Sequence, residues 1–257
     1  MASSARSFFS ATWTKPLAFC CVMVPLNCPF ESQNWIASLG RLIELHPKLM
    51  VPGHGPVSEM PLAARSADFE GRLRKLGLDV SGSPSLLEVT GAFADAVDAH
   101  LRRTGGRTDL GEMAQMAATE AMTVLGTPAN GNLFDAAAPS AKEALEAFTT
   151  TKQFSALARE FFARLTTKYL AYFLSRELSN YVGPGGRFAG IDGHAEFTRA
   201  LDLHCHQASS IVEVFSGGWF SKGQFKGTIT QQKASGFVHV ALKKLRAELA
   251  KGAGLGE

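Results

Sequence analysis

Apolar positions recur at helical spacing through most of the chain. Leu86, Val89, Phe93, Val97 and Leu101 fall three and four residues apart, an apolar stripe that ends at Gly105-Gly106. Ser85 with Glu88 has the spacing of a capping box at its start. A second stripe (Leu110, Met113, Ala117, Ala121, Val124) opens at Asp109 with Glu112 and closes at Gly126. Ser140 with Glu143 begins a third helical pattern that reaches Tyr181, with a break expected around Thr149-Thr150-Thr151. Its second half carries Phe154, Leu157, Phe161, Leu165, Tyr169, Tyr172 and Phe173, a face wide enough to put this helix at the centre of a bundle. Beyond the glycine-rich stretch 183–193, a fourth helix near 194–216 repeats Phe197, Leu201, His204, Ala208, Ile211 and Phe215 as a packed seam, with Gly217-Gly218 as its stop. A fifth, about 230–250, buries Ala234, Val238, Ala241, Leu245 and Leu249.

Upstream the periodicity changes. Val22-Met23-Val24 and Leu49-Met50-Val51 read as short strands around a helix at Asn34–Leu45, whose apolar positions are Trp35, Leu39, Leu42 and Ile43. Ser32 is its N-cap and His46-Pro47 its end. The expected fold is therefore mainly α: a five-helix, bundle-like domain over 84–251, preceded by a small α/β (strand–helix–strand) segment at 1–66. Residues 67–83 read as a linker or short helix, with Ser81-Gly82-Ser83-Pro84 as its end.

Composition supports a folded chain. Of 257 residues, 46% are hydrophobic and 19% charged, so a core can be buried and the composition argues against wholesale disorder. A formal charge of +3 permits acidic partners without demanding them. Cys20, Cys21, Cys28 and Cys205 show no C-x-x-C spacing, which fits a reducing, cytoplasmic setting. The apolar run Leu17–Val24 is bounded by Pro16 and Pro25. It is too short for a membrane span and lacks the shape of a signal peptide, so a buried strand is the expected reading.

Three constellations could carry chemistry. The turn Pro52-Gly53-His54-Gly55-Pro56, with the helix and strand before it, resembles the late helix–strand–loop unit of metallo-β-lactamase-fold hydrolases over residues 31–60. The resemblance implies that His54 is a metal ligand, zinc being the implied ion. Glycines there let the backbone turn tightly and bring an imidazole to the end of a strand. The family's upstream H-x-H-x-D-H cluster has no counterpart in residues 1–53, where His46 is the other histidine. A catalytic zinc takes about three protein ligands plus an open position, so further ligands would have to come from elsewhere.

Asp202-Leu203-His204-Cys205-His206 is the second. His204 and His206 lie about 200° apart around a helix and cannot share an ion within it. His204 is expected as a satisfied core histidine on the seam, and Cys205 as a small core residue. Asp202 and His206, at i and i+4, share the polar face; they are the additional metal candidates, or else an ordinary helix-surface pair. The glycines at 183–190 follow a helix rather than a strand, which reads as helix termination and not as a phosphate cradle.

The third is a run of interleaved rings and cations: Trp219, Phe220, Lys222, Phe225 and Lys226. The following helix adds His239, Lys243 and Arg246 along one stripe. Rings alternating with lysines can stack on bases or sit against an acidic surface, whereas the structural alternative is a solvated helix beside rings that cap the core. No nucleophile elbow, H-E-x-x-H pair or P-loop is present. The leading expectation is a non-enzymatic helical interaction module whose basic, aromatic edge meets a partner protein or nucleic acid and which needs no cofactor. The alternative is a metal-dependent hydrolase, or a remnant of one, using His54 with ligands from Asp202, His204, His206 or a partner chain. The wide apolar face of the central helix also admits a homo-oligomer.

Overall fold

A computed structural model describes residues 63–104, 108–127, 140–178, 183, 190–226 and 229–252. The strands and helix expected between Val22 and Val51, and the turn holding His54, lie outside these residues, whereas Ala63 and Ala64, at the end of the expected α/β segment, are helical. The described residues are mainly helical and contain no strand. In chain order the helices are α1 (Phe69–Lys75), α2 (Leu86–Thr104), α3 (Asp109–Gly126), α4 (Ala141–Ala147), α5 (Thr151–Leu178), α6 (Ile191–Ala208), α7 (Ser210–Phe225) and α8 (Gln231–Gly252). The five helical patterns of the sequence thus become seven helices, because two of them are broken, and α1 adds an eighth.

The caps explain the boundaries. Thr108, one residue before the expected Asp109, caps α3 by accepting from the Gly111 amide. Ser140 and Glu143 form a complete capping box on α4. The Glu88 amide donates to the Ser85 hydroxyl as in a capping box, but its carboxylate accepts from the Ser81 amide and hydroxyl instead, and these bonds hold it below the usual glutamate range. The break between α4 and α5 falls at the threonines. Thr149 and Thr150 turn their hydroxyls onto the Glu146 and Ala147 carbonyls, and Thr150 then caps α5 through the Gln153 amide.

The second break differs from the sequence pattern. Ser209 interrupts the fourth pattern for a single residue between α6 and α7, and α7 runs straight through Gly217-Gly218 to Phe225. Gly217 belongs inside the helix because a Cβ there would lie 3.0 Å from the Ser155 hydroxyl of α5. Close approach of two helices, not chain termination, is the physical reason for a glycine here.

Side-chain partners give the directions. Gly111 lies against Leu101, the Gln115 amide donates to the Ala94 carbonyl at 2.8 Å, and Gly126 lies against Leu86, so α2 and α3 are antiparallel. Tyr172 bonds Asp109 while Arg164 and Lys168 bond Glu120, which sets α5 antiparallel to α3. Thr167 meets Asp202, Arg159 meets Glu213 and Ser155 meets Gly217, so α6 and α7 together form one rod antiparallel to α5. Trp219 and Phe215 both pack on Phe237 and fold α8 back along α7. The result is an up–down arrangement of five rods with α5 in the middle.

Two apolar cores share this frame. One joins α3, α5, α6, α7 and α8 around Phe162, Leu165, Cys205, Val212, Leu245 and Leu249. The other joins Ala63, Ala64, α1, α2, Met122, α4 and Phe148. Residues 76–83 are not a loose connection: Leu78 and Val80 are buried in the second core, and the Arg74 guanidinium donates to the Val80 carbonyl at 3.0 Å. Thr149 ties distant segments together. Its hydroxyl accepts from Arg65 at 2.6 Å and its carbonyl from Gln224 at 3.1 Å.

The two kinds of glycine make a paired test. Gly91 is exposed inside α2 with open space around it, so Gly91→Ala is expected to stabilise by about 0.5–1 kcal/mol in urea unfolding. At Gly217 the same change meets a hydroxyl already fixed by its bond to the Thr151 carbonyl, and a net loss of stability is expected. Equal stabilisation at both positions would show that α5 and α7 are not in close contact.

Candidate functional site

The basic set of the sequence is divided by the fold. Phe220 is buried and stacked on Phe154 of α5, with centroids 4.0 Å apart and rings within 8° of parallel. Trp219 is half-buried between Phe154 and Phe237. Both rings therefore serve the core. Phe225 does not: it is 91% exposed at the end of α7, between exposed Lys222 and Lys226. His239 and Lys243 are exposed and Arg246 partly so, one stripe on the outer face of α8. From Gln231 at the α7–α8 turn to Lys243 is a rise of about 18 Å, so the cations at the turn and those of the α8 stripe are separate groups.

Around that stripe α8 is strongly basic. It carries Lys233, Lys243, Lys244, Arg246 and Lys251 against a single carboxylate, Glu248. Glu248 lies 3.5 Å from Lys251, and the Lys244 ammonium sits over the Phe215 ring at 5.5 Å. Among the described residues no carboxylate pairs with Lys233, Lys243 or Arg246. The opposite side of α8 (Phe237, Val238, Ala241, Leu242, Leu245, Leu249) is buried. The helix is thus fixed by one side and free to offer charge on the other.

The metal candidates fall at the junction of α5 and α6. His206 places Nδ1 at 3.4 Å from Asp202 and Nε2 at 3.5 Å from Glu160. The two carboxylates approach opposite edges of the imidazole and so do not converge on one point. Asp202 also accepts from Thr167 at 3.1 Å. Among the described residues no group of three His, Cys, Asp or Glu side chains is arranged to hold a metal ion. His54 is outside the described residues, as is most of the glycine-rich loop.

A polar network that the spacing did not reveal runs beside this junction. Arg164 bridges Glu160 at 2.7 Å and Glu120 of α3 at 2.9 Å, and Lys168 reaches the same Glu120 at 2.7 Å. Burial alone would raise the Glu120 carboxyl, but bonds and charge from Lys168 and Arg164 outweigh it and hold the group below its ordinary value. Burial likewise opposes the Arg164 charge, and its two carboxylate partners reverse that, raising its value. Only the Glu160–Arg164 pair, at i and i+4, could have been read from the chain.

His204 departs from expectation. It is partly buried and its Nε2 has no hydrogen-bond partner, so it is not a satisfied core histidine. Desolvation lowers its pKa. Cys205 is fully buried in the core, the role its spacing suggested. Among the described residues no helix is long and apolar enough to cross a membrane. Comparison with protein-family models, curated proteins and solved structures finds no match.

Glu120 and His204 both contribute to the acid response. Both folded values lie below the ordinary ones, so each contribution to stability is intact above the ordinary value and is lost as pH falls. For His204→Leu, the stability advantage over the parent should widen below about pH 6.5, where the unfolded chain takes up a proton that the folded imidazole resists. For Glu120→Gln the deficit, at most about 1 kcal/mol per lost pair, should shrink below about pH 4.5. Urea titrations across pH would measure both, and differences independent of pH would contradict these placements.

Proposed function

We propose that this chain is a non-enzymatic helical interaction module that meets an acidic partner, a protein or a nucleic acid, through the outer face of α8. The observation that carries the reading is the five-to-one excess of Lys and Arg over carboxylates on a helix whose other side is fixed in the core. Such a face needs no rearrangement to bind, because its backbone is already ordered. His239, Lys243 and Arg246 form its middle, with Lys233, Lys244 and Lys251 beside them. Lys222, Phe225 and Lys226 at the α7–α8 turn would make a second point of contact. An α/β segment over residues 1–66 preceding the helices belongs to this reading as an expectation from the sequence.

The rival reading is a metal-dependent hydrolase, or an incomplete one, and it rests on the Pro52-Gly53-His54-Gly55-Pro56 turn. Metal analysis of the purified protein separates the two. Stoichiometric zinc that is lost in His54→Ala would favour the hydrolase and count against a purely interacting role.

Heparin, a sulfated polyanion, is a suitable general probe. The parent protein should be retained on it at low salt and released as salt rises, since exposed charge is screened over about 10 Å at 0.1 M. Lys243→Glu with Arg246→Glu should elute at clearly lower salt with unchanged helical circular dichroism. No retention, or retention indifferent to the double substitution, would remove the reading.

A further inference from the structure

The geometry points to a definite partner, and we infer that α8 lies in the major groove of a B-form DNA duplex, its two basic flanks holding the two phosphate backbones. This rests on the reading of α8 as the face that meets an acidic partner. At 100° per residue, the line of α8 furthest from the core runs through Gly236, Lys243 and Ala247, all exposed. His239 and Arg246 lie about 60–80° to one side of it. Lys233, Lys244 and Lys251 lie about 60–90° to the other. Glu248 falls further round, next to Lys251.

That layout has a small-residue crest between two basic rows. A major groove about 12 Å wide admits one helix, and cations on both flanks then reach a different strand each. Gly236 and Ala247 let the backbone approach the groove floor, and Lys243 is the crest side chain long enough to reach base edges. A flat acidic protein surface would be met best by charge all along the crest, where α8 has one lysine between glycine and alanine. Single-stranded nucleic acid wants exposed rings to stack on. The rings beside α8, Trp219 and Phe220, are engaged with Phe154 and Phe237, the exposed face of α8 offers the His239 imidazole alone, and exposed Phe225 lies apart from it at the α7–α8 turn. The major groove of A-form RNA is too narrow for side chains to enter. Duplex DNA is the partner left, and contacts mainly to phosphates make the binding weakly dependent on sequence.

The test is fluorescence anisotropy of the full chain with a 20-base-pair DNA duplex, the RNA duplex of the same sequence, and polyglutamate. DNA should bind tightest, with a log–log salt slope of about −3.6 from the four flanking cations Lys233, Lys244, Arg246 and Lys251. Lys244→Gln should make that slope shallower by about 1. Ala247→Trp adds bulk at an exposed crest position away from the core. It should weaken DNA binding about tenfold or more, roughly 1.4 kcal/mol, and leave polyglutamate unaffected. RNA bound as tightly as DNA would overturn groove entry. Polyglutamate bound as tightly as DNA, with Ala247→Trp silent on both, would overturn the DNA assignment while leaving α8 as an acidic-partner face. No binding to any of the three would overturn both.

Discussion

The larger of the two cores depends on enclosing α5. Its described side chains include a broad apolar face, from Phe154 and Phe162 to Leu165, Tyr169 and Leu170. A helix of that kind cannot rest on one neighbour. Here α3, the α6–α7 rod and α8 close around it. Burying each large side chain contributes about 1.5–3 kcal/mol, whereas each half-exposed ion pair contributes about 0.2–1 kcal/mol. The apolar contacts therefore hold the rods together. The pairs of Arg159 with Glu213, Arg164 and Lys168 with Glu120, and Thr167 with Asp202 fix how far each rod slides along α5.

The same enclosure decides which sequence signals were readable. Local chemistry was: the capping box at Ser140, the threonines that end α4, the central place of α5 and the stripe of α8 all follow from neighbours in the chain. Signals whose meaning depends on a distant helix were not. Gly217-Gly218 has the look of a stop, yet Gly217 is inside α7 because Ser155, 62 residues earlier, comes too close for a larger side chain. Ser209 has no local signal of a break at all, and its hydroxyl is buried without a partner.

The candidate surface was legible in one part and hidden in another for the same reason. His239, Lys243 and Arg246 form a stripe by helical spacing alone, and the fold keeps them outside. Trp219 and Phe220 have the spacing of an exposed, ring-bearing edge only until Phe154 and Phe237 are brought against them. A ring among lysines is ambiguous in sequence because its burial is settled by partners elsewhere. The cationic residues carry no such ambiguity, since an ammonium stays in water unless it is paired.

What the rings lose as contacts they return as rigidity. Phe237 of α8 packs on Phe215 and Trp219 of α7 and on Phe154 and Phe162 of α5, so one side chain anchors the basic helix to two others. Phe215, stacked on Phe237, also presents its face to Lys244. A lysine so placed stays extended beside the helix without surrendering its charge to a carboxylate. The aromatic cluster and the basic rows are thus two sides of one device. Rings fill the interior side of α8, and by doing so they set the angle at which its charged side faces outward.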